Sequence, residues 1–223
     1  MCIICVSKKG VPQPSIDTLR TMYTRNPDGA GYMCLRNGQV ELHKGFMDWS
    51  DFVRQVRREK FTADDVVVYH FRIATQATGP AMTHPFPLCN DLQLMRKLDL
   101  KCQCAVAHNG IIPLTSNGNR QYSDTALFVA KYLHRIIRTP DDLESPECLL
   151  IAEKLCQSKL AIMDYTGTVA TVGHFIQEEN GLLYSNYTYK PYQPPIKRAF
   201  NTYSAPFTLN AVNTANPANR KEN

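Results

Sequence analysis

The chain has 223 residues, 43% of them apolar, and a formal charge of +5; it can bury a sizeable core as one large domain, or one domain plus a tail, and is no short linear array. Lys and Arg are scattered, and the nearest approach to a cluster (Arg54, Arg57, Arg58, Lys60) reads as the solvated face of a helix, so no nucleic-acid partner is expected. The apolar stretch after Met1 ends before Lys8, too short for a signal peptide, and no later run approaches membrane-spanning length, so a soluble, cytoplasmic protein without a membrane partner is expected.

In chain order, residues 2–6 predict a buried strand, and Ser15 is placed to cap a helix with Leu19, Met22 and Tyr23 on one face. "NPDG" (26–29) is a turn, and "AGYMCL" and "QVELHK" flank Asn37-Gly38, the strongest short hairpin signal. A helix over 48–58 turns Trp49, Phe52, Val53 and Val56 inward. "VVVYHFR" (66–72) and "CAVAH" (104–108) are strands that run directly into loops, and polar residues gather at both loop entries. A long helix over 123–138, a second over 145–157, and a hairpin of "KLAIMD" and "TVATV" complete the body. From Lys190 the sequence is rich in Pro and Asn and lacks periodicity, which predicts an extended or disordered tail over 190–223. The residues alone therefore give an α+β chain with antiparallel hairpins.

Eight cysteines invite a disulfide reading, but a chain of this length with ordinary core residues does not need such staples. Cys34, Cys89, Cys148 and Cys156 read as buried small hydrophobes. Cys2 and Cys5 with Cys102 and Cys104 form a possible zinc set, although a Cys-x-Cys pair matches the usual Cys-x-x-Cys knuckle poorly, and neither a metal nor a cofactor is expected.

Cys2 behind the initiator, "DGAGYM" (28–33), "HFRIAT" (70–75), "THPF" (83–86), "AHNGII" (107–112) and "SDTALF" (123–128) together resemble the class II glutamine amidotransferase domain, an N-terminal-nucleophile hydrolase found in glucosamine-phosphate synthase, amidophosphoribosyltransferase and asparagine synthetase. The resemblance spans residue 2 to about residue 187 in the family's order. It implies a four-layer αββα sandwich of two antiparallel sheets between helix layers, a domain over 1–189 with Met1 removed on maturation, and glutamine as substrate. Two departures stand out: the family usually has an aromatic residue where this chain has Ile73, and a glycine soon after the threonine, whereas Gly79 comes late.

The chemistry explains why these residue types belong together. Loss of Met1 leaves an α-amine on Cys2 whose ordinary pKa of about 7.7–8.0 suits a general base. The thiol then attacks the glutamine side-chain amide, releasing ammonia through a thioester. By resemblance, the Asn109 amide and the Gly110 N–H are the oxyanion donors, Arg72 forks the α-carboxylate, Asp124 takes the α-ammonium, and Thr75 and His84 line the pocket. Taken alone, Asn109-Gly110 is more often just a turn, and Asp124 at the first turn of a helix also serves as a cap and dipole acid. A separate ammonia-accepting synthase subunit is the expected partner. Two other readings remain: a glutamine-binding or scaffold module without turnover, and a zinc or thiol protein using Cys2, Cys5, Cys102 and Cys104.

Overall fold

The computed structural model describes residues 1–74, 79–116 and 121–191, and the residues up to Pro191 form one unit. Two antiparallel sheets dominate it. In the larger, seven strands run in the order β10-β11-β1-β4-β2-β3-β6: β1 (Ile3–Ser7), β2 (Ala30–Arg36), β3 (Gln39–Phe46), β4 (Val67–Phe71), β6 (Asp99–Cys102), β10 (Ile176–Gln177) and β11 (Leu183–Tyr184). The smaller has the order β5-β7-β8-β9, from β5 (Phe86–Pro87), β7 (Cys104–Asn109), β8 (Lys159–Asp164) and β9 (Val169–Val172).

Strand parity sorts the apolar side chains into three buried clusters. Ile3 and Cys5 of β1 join Leu19 and Met22 of α1 (Ile16–Arg25) and Phe52 of α2 (Trp49–Glu59). Ile4 and Val6, pointing the other way, join Ala105, Ala107, Ala161 and Met163 of the smaller sheet. The alternate residues Val106, Leu160 and Ile162 join Phe128, Leu133 and Leu143 of the later helices. Both strands of each central pair are thus covered on both faces, which is why residues 3–6 and 66–69 read as continuous apolar runs rather than alternating ones.

Local signals were formed as read at several points. Ser15 accepts from Thr18 N at 3.1 Å to cap α1, and Asn37 and Gly38 take positive φ (49° and 70°) at the β2–β3 turn, as a type I′ turn requires. Gly31, inside β2, meets the chain so closely that an added Cβ would lie 2.1 Å from His84 O, so only glycine lets residues 83–86 cross there. On α2, Phe52 and Val56 are buried while Trp49 and Val53 are only half-buried.

The helix expected over 123–138 is instead interrupted. α3 (Asp124–Phe128) passes into a π turn (Val129–Leu133) and then α4 (His134–Ile136). The His134 N–H and its ring Nδ1 both reach Val129 O, five residues back, which is the wider hydrogen-bond spacing of a π turn. A further helix, α5 (Pro140–Glu144), begins at a capping box between Thr139 and Asp142, and α6 (Pro146–Cys156) follows with Ser145 as its cap. Cys89 and Cys148 are half-buried rather than core residues, whereas Cys34 and Cys156 are buried. The expected tail lies, from residue 192 onward, outside the described residues. Among the described residues no helix is long and apolar enough to cross a membrane.

Candidate active site

β1 and β4 are antiparallel neighbours with Ile3 opposite Phe71, so extending the register by one residue sets Cys2 opposite Arg72 at the end of the larger sheet. Asn109 ends β7 in the smaller sheet, with Gly110 just beyond it. Asp124 opens α3 immediately after its cap, Ser123, which accepts from Ala126 N at 3.2 Å. Four chain segments thereby deliver Cys2, Arg72, Gly110 and Asp124 to the wall of one cavity, of about 20 Å³. That is room for about one water. A second cavity, of about 410 Å³, also adjoins Cys2 and is lined by Met1, Asn109, Gly110 and Lys159 among others.

Cys2 is 8% exposed. Its Sγ receives the Ile73 N–H at 3.4 Å and lies 3.5 Å from Ile73 O. Burial pushes the thiol up from its ordinary value, opposed by the Ile73 N–H and by the Arg72 charge. Its carbonyl is held by Asn186 Nδ2 at 2.7 Å. Met1 stands largely exposed ahead of it.

Arg72 is buried, and its backbone is fixed by Arg72 N to Gly29 O at 2.9 Å and Asp28 N to Arg72 O at 3.0 Å. Burial holds its pKa down, while the charges of Cys2, Asp28 and Asp124 act in the opposite direction, so this cation sits among three anionic or potentially anionic groups. Asp28 Oδ2 also accepts from Ala74 N at 2.8 Å. Asp124 uses its carboxylate locally: Oδ2 accepts from Ile112 N and Oδ1 from Thr125 N, both at 2.8 Å. Oδ1 accepts from Thr125 Oγ1 as well, at 3.4 Å. These bonds tie the segment after Gly110 to the start of α3, the capping role, and leave a lone pair on Oδ2 for a cation.

Asn109 donates Nδ2–H to Ser185 Oγ at 2.8 Å, and its Oδ1 is buried without a partner among the described residues. One of its two amide hydrogens remains for another acceptor. Gly110 has φ +145°, and a Cβ there would fall 2.6 Å from Ser158 Cβ, so the position excludes any side chain. His84 lines the smaller cavity, but its Nδ1 accepts from His108 N at 3.1 Å and its ring packs 4.2 Å from that of His70. Burial holds its pKa well below the usual imidazole value, so it is neutral near pH 7. Thr75 lies outside the described residues.

Sequence reasoning passed over several residues here. Ser185 is fully buried and accepts from Ile4 N at 2.9 Å as well as from Asn109, while Ser185 N returns to Ile4 O at 3.0 Å. With Asn186 on the Cys2 carbonyl, this segment clamps the chain end against the β7 terminus. No local pattern marks a serine 76 positions from Asn109 as its partner. His108 also lines the smaller cavity, with Nδ1 2.8 Å from Thr125 Oγ1 and Nε2 2.7 Å from Ser158 Oγ, and burial takes its pKa down to about 4.

The four cysteines of the zinc reading do not converge. Cys5 packs between the larger sheet and α1, Cys102 packs against the inter-sheet cluster, and Cys104 against the cluster under the later helices. Among the described residues no three His, Cys, Asp or Glu side chains come together as a metal site.

No family model matches the sequence, and no curated protein does. Among solved structures, the chain is similar to glutamine phosphoribosylpyrophosphate (PRPP) amidotransferase from B. subtilis complexed with ADP and GMP, at 18% identity and a TM-score of 0.49. The similarity covers 83% of this chain and 42% of that one, so this chain spans less than half the length of that protein.

Proposed function

We propose that this chain is a class II glutamine amidotransferase that hydrolyses the side-chain amide of glutamine to glutamate and ammonia, with Cys2 as an N-terminal nucleophile once Met1 is removed. The observation that carries the reading is the convergence of Cys2, Arg72, Gly110 and Asp124, from four separate segments, on one cavity. A thiol, a buried guanidinium, a side-chain-free loop and a carboxylate are the set that acyl transfer from a free amino acid needs.

In this reading Arg72 pairs with the substrate α-carboxylate and Asp124 with its α-ammonium. The Cys2 α-amine takes the thiol proton as Sγ bonds to the side-chain carbonyl carbon, and the carbonyl electron pair moves onto oxygen. That oxyanion accepts from the free Asn109 amide hydrogen and from Gly110 N–H. Collapse expels the amide nitrogen, which takes the proton back and leaves as ammonia. Water then adds to the thioester, with the same amine taking and returning its proton, to give glutamate and the free thiol. Thr75 and His84 are assigned to the pocket wall.

The fold that accompanies this chemistry is read as a four-layer αββα sandwich over 1–189, followed by a 190–223 tail; the three clusters between and outside the two sheets support that layering. Ammonia passes to a separate synthase subunit, in the cytoplasm. The test is glutamate release from glutamine by the mature chain: Cys2→Ala abolishes it with the circular dichroism spectrum unchanged, and Cys5→Ala retains it. An active Cys2→Ala or a dead, folded Cys5→Ala overturns the assignment.

A further inference from the structure

Gly110 is constrained by more than its positive φ. The β7–β8 register that sets Asn109 opposite Lys159 continues by one residue to set Gly110 opposite Ser158. Ser158 follows the end of α6, where Gln157 turns the chain with a φ of 52° before β8 begins. Two residues before Gly110, His108 projects from the same side of the strand. A Cβ built on Gly110 would lie 2.6 Å from Ser158 Cβ, 3.1 Å from Ser158 Oγ and 3.4 Å from His108 Nε2. His108 Nε2 and Ser158 Oγ are themselves 2.7 Å apart. The space that a side chain at position 110 would need is therefore taken by a hydrogen bond between its two neighbours, and the glycine backbone lies against that bond.

The His108 ring is held at both nitrogens. It is buried, and its Nδ1 lies 2.8 Å from Thr125 Oγ1 in α3. Burial takes its pKa down to about 4, so near pH 7 the ring has one N–H and one lone pair. A hydroxyl both donates and accepts, so Thr125 and Ser158 satisfy the two nitrogens in either tautomer. The His108 backbone is fixed as well: its N–H donates to His84 Nδ1 at 3.1 Å, and its carbonyl accepts from His70 Nε2 at 2.9 Å. The ring thus bridges the start of β8 to the first turn of α3, beside Gly110. Next to Thr125 stands Asp124, whose Oδ2 accepts from Ile112 N at 2.8 Å. The segment from Gly110 to Ile112 is therefore held at one end by the His108–Ser158 bond and at the other by the neighbour of the ring's second partner.

We infer that His108 and Ser158 are positioning residues for amide hydrolysis: their hydrogen bond backs Gly110 and holds its N–H where an oxyanion forms beside Cys2. The inference rests on the reading of Gly110 as an oxyanion donor and deepens it. Both residues act through Gly110. An oxyanion donor works because it is preorganised, and removing one outright costs about 10²–10³ in kcat; a donor that keeps its N–H but loses its backing forfeits part of that factor. The α-groups of glutamine, paired with Arg72 and Asp124, bind as before, so the loss falls on kcat and not on KM.

The test is Ser158→Ala in the mature full chain. Glutamate release is measured over a range of glutamine concentrations and, on the same samples, alkylation of Cys2 by iodoacetamide is followed by mass spectrometry. Alkylation is a displacement at a saturated carbon and forms no oxyanion, so it reports the thiol without the donor. The expected result is a kcat lowered at least tenfold, on the order of the low end of an oxyanion-donor loss, with KM and the alkylation rate each within about twofold of the parent. Ser158→Cys, which keeps the bulk but offers only a weakly hydrogen-bonding thiol, is expected to show the same split, and it decides the matter if the alanine variant does not fold. A lowered urea midpoint with kcat unchanged makes the pair purely structural and overturns the inference, as does a loss carried by KM or a fall in alkylation equal to the fall in kcat. A parent chain that releases no glutamate overturns the proposed hydrolysis itself, and the inference with it. An active parent matched by a folded Ser158→Ala overturns the inference alone.

Discussion

The three buried histidines between the sheets and α3 make acid stability a direct test of the packing around the candidate site. His70 is fully buried on β4, donates Nε2–H to His108 O at 2.9 Å, and leaves Nδ1 enclosed without a partner among the described residues. Burial takes its pKa down to about 3. An unfolded histidine titrates near 6.5, so between the two values the unfolded chain binds one more proton than the folded one. Stability contributed by the neutral ring is therefore complete above about pH 6.5 and is lost as pH falls toward the folded value. At about 1.36 kcal/mol per pH unit, the 1.5 units from 6.5 to 5 cost about 2 kcal/mol through this ring alone. His70→Gln retains a side-chain N–H for His108 O but cannot titrate. Urea unfolding of both proteins at pH 7 and pH 5 isolates the effect, because the other histidines are common to the two. The variant is expected to start less stable at pH 7 and to lose about 2 kcal/mol less on going to pH 5. An equal loss in the two proteins would refute a buried, neutral His70.

Arg72→Lys keeps the charge and loses the two-pronged geometry; glutamine kcat/KM should fall by roughly 10- to 150-fold, the equivalent of the 1.5–3 kcal/mol of a charged hydrogen bond, and unchanged kinetics would remove Arg72 from the carboxylate role. Ser185→Ala strands Ile4 N–H and releases the Asn109 amide, so it should cost about 1–3 kcal/mol in urea unfolding and lower kcat more than it raises KM; a stability loss with normal kcat would leave Ser185 a purely structural residue.

Much of this fold is local in origin. The Asn37-Gly38 turn, the Ser15 cap and the apolar runs of β1, β4, β7 and β8 each carry their own physical signal, and each forms near where it was expected. The "TPDD" start of α5 carried a capping signal too, but it was absorbed into the gap between two expected helices. β5, β10 and β11 have two residues each and exist only because a partner strand offers its edge. β6 alternates Asp99, Leu100, Lys101 and Cys102, and is ordered by pairing with Val40 to His43 of β3. The candidate site divides the same way. Cys2, Arg72, Asn109, Gly110 and Asp124 were singled out through the motifs that carry the family resemblance, and each ends or begins a regular element. Ser185, Asn186 and His108 act through partners far away in the chain, and only the folded register brings Ser185 to Ile4 and Asn109. At the π turn the His134 ring reaches back to the Val129 carbonyl, a contact that apolar periodicity does not encode.

The central claim is that the Cys2 thiol works with its own free α-amine, and intact-mass spectrometry read beside the glutaminase rate of the same sample tests it most directly. In the unprocessed chain Met1 precedes Cys2 and turns that amine into a peptide N–H with no basic lone pair. The account predicts that active protein is lighter by one methionine residue, that the rate follows the fraction of chains so processed, and that a form forced to keep an extension before Cys2 hydrolyses glutamine hardly at all. Full activity in a sample whose Met1 is still attached would contradict it.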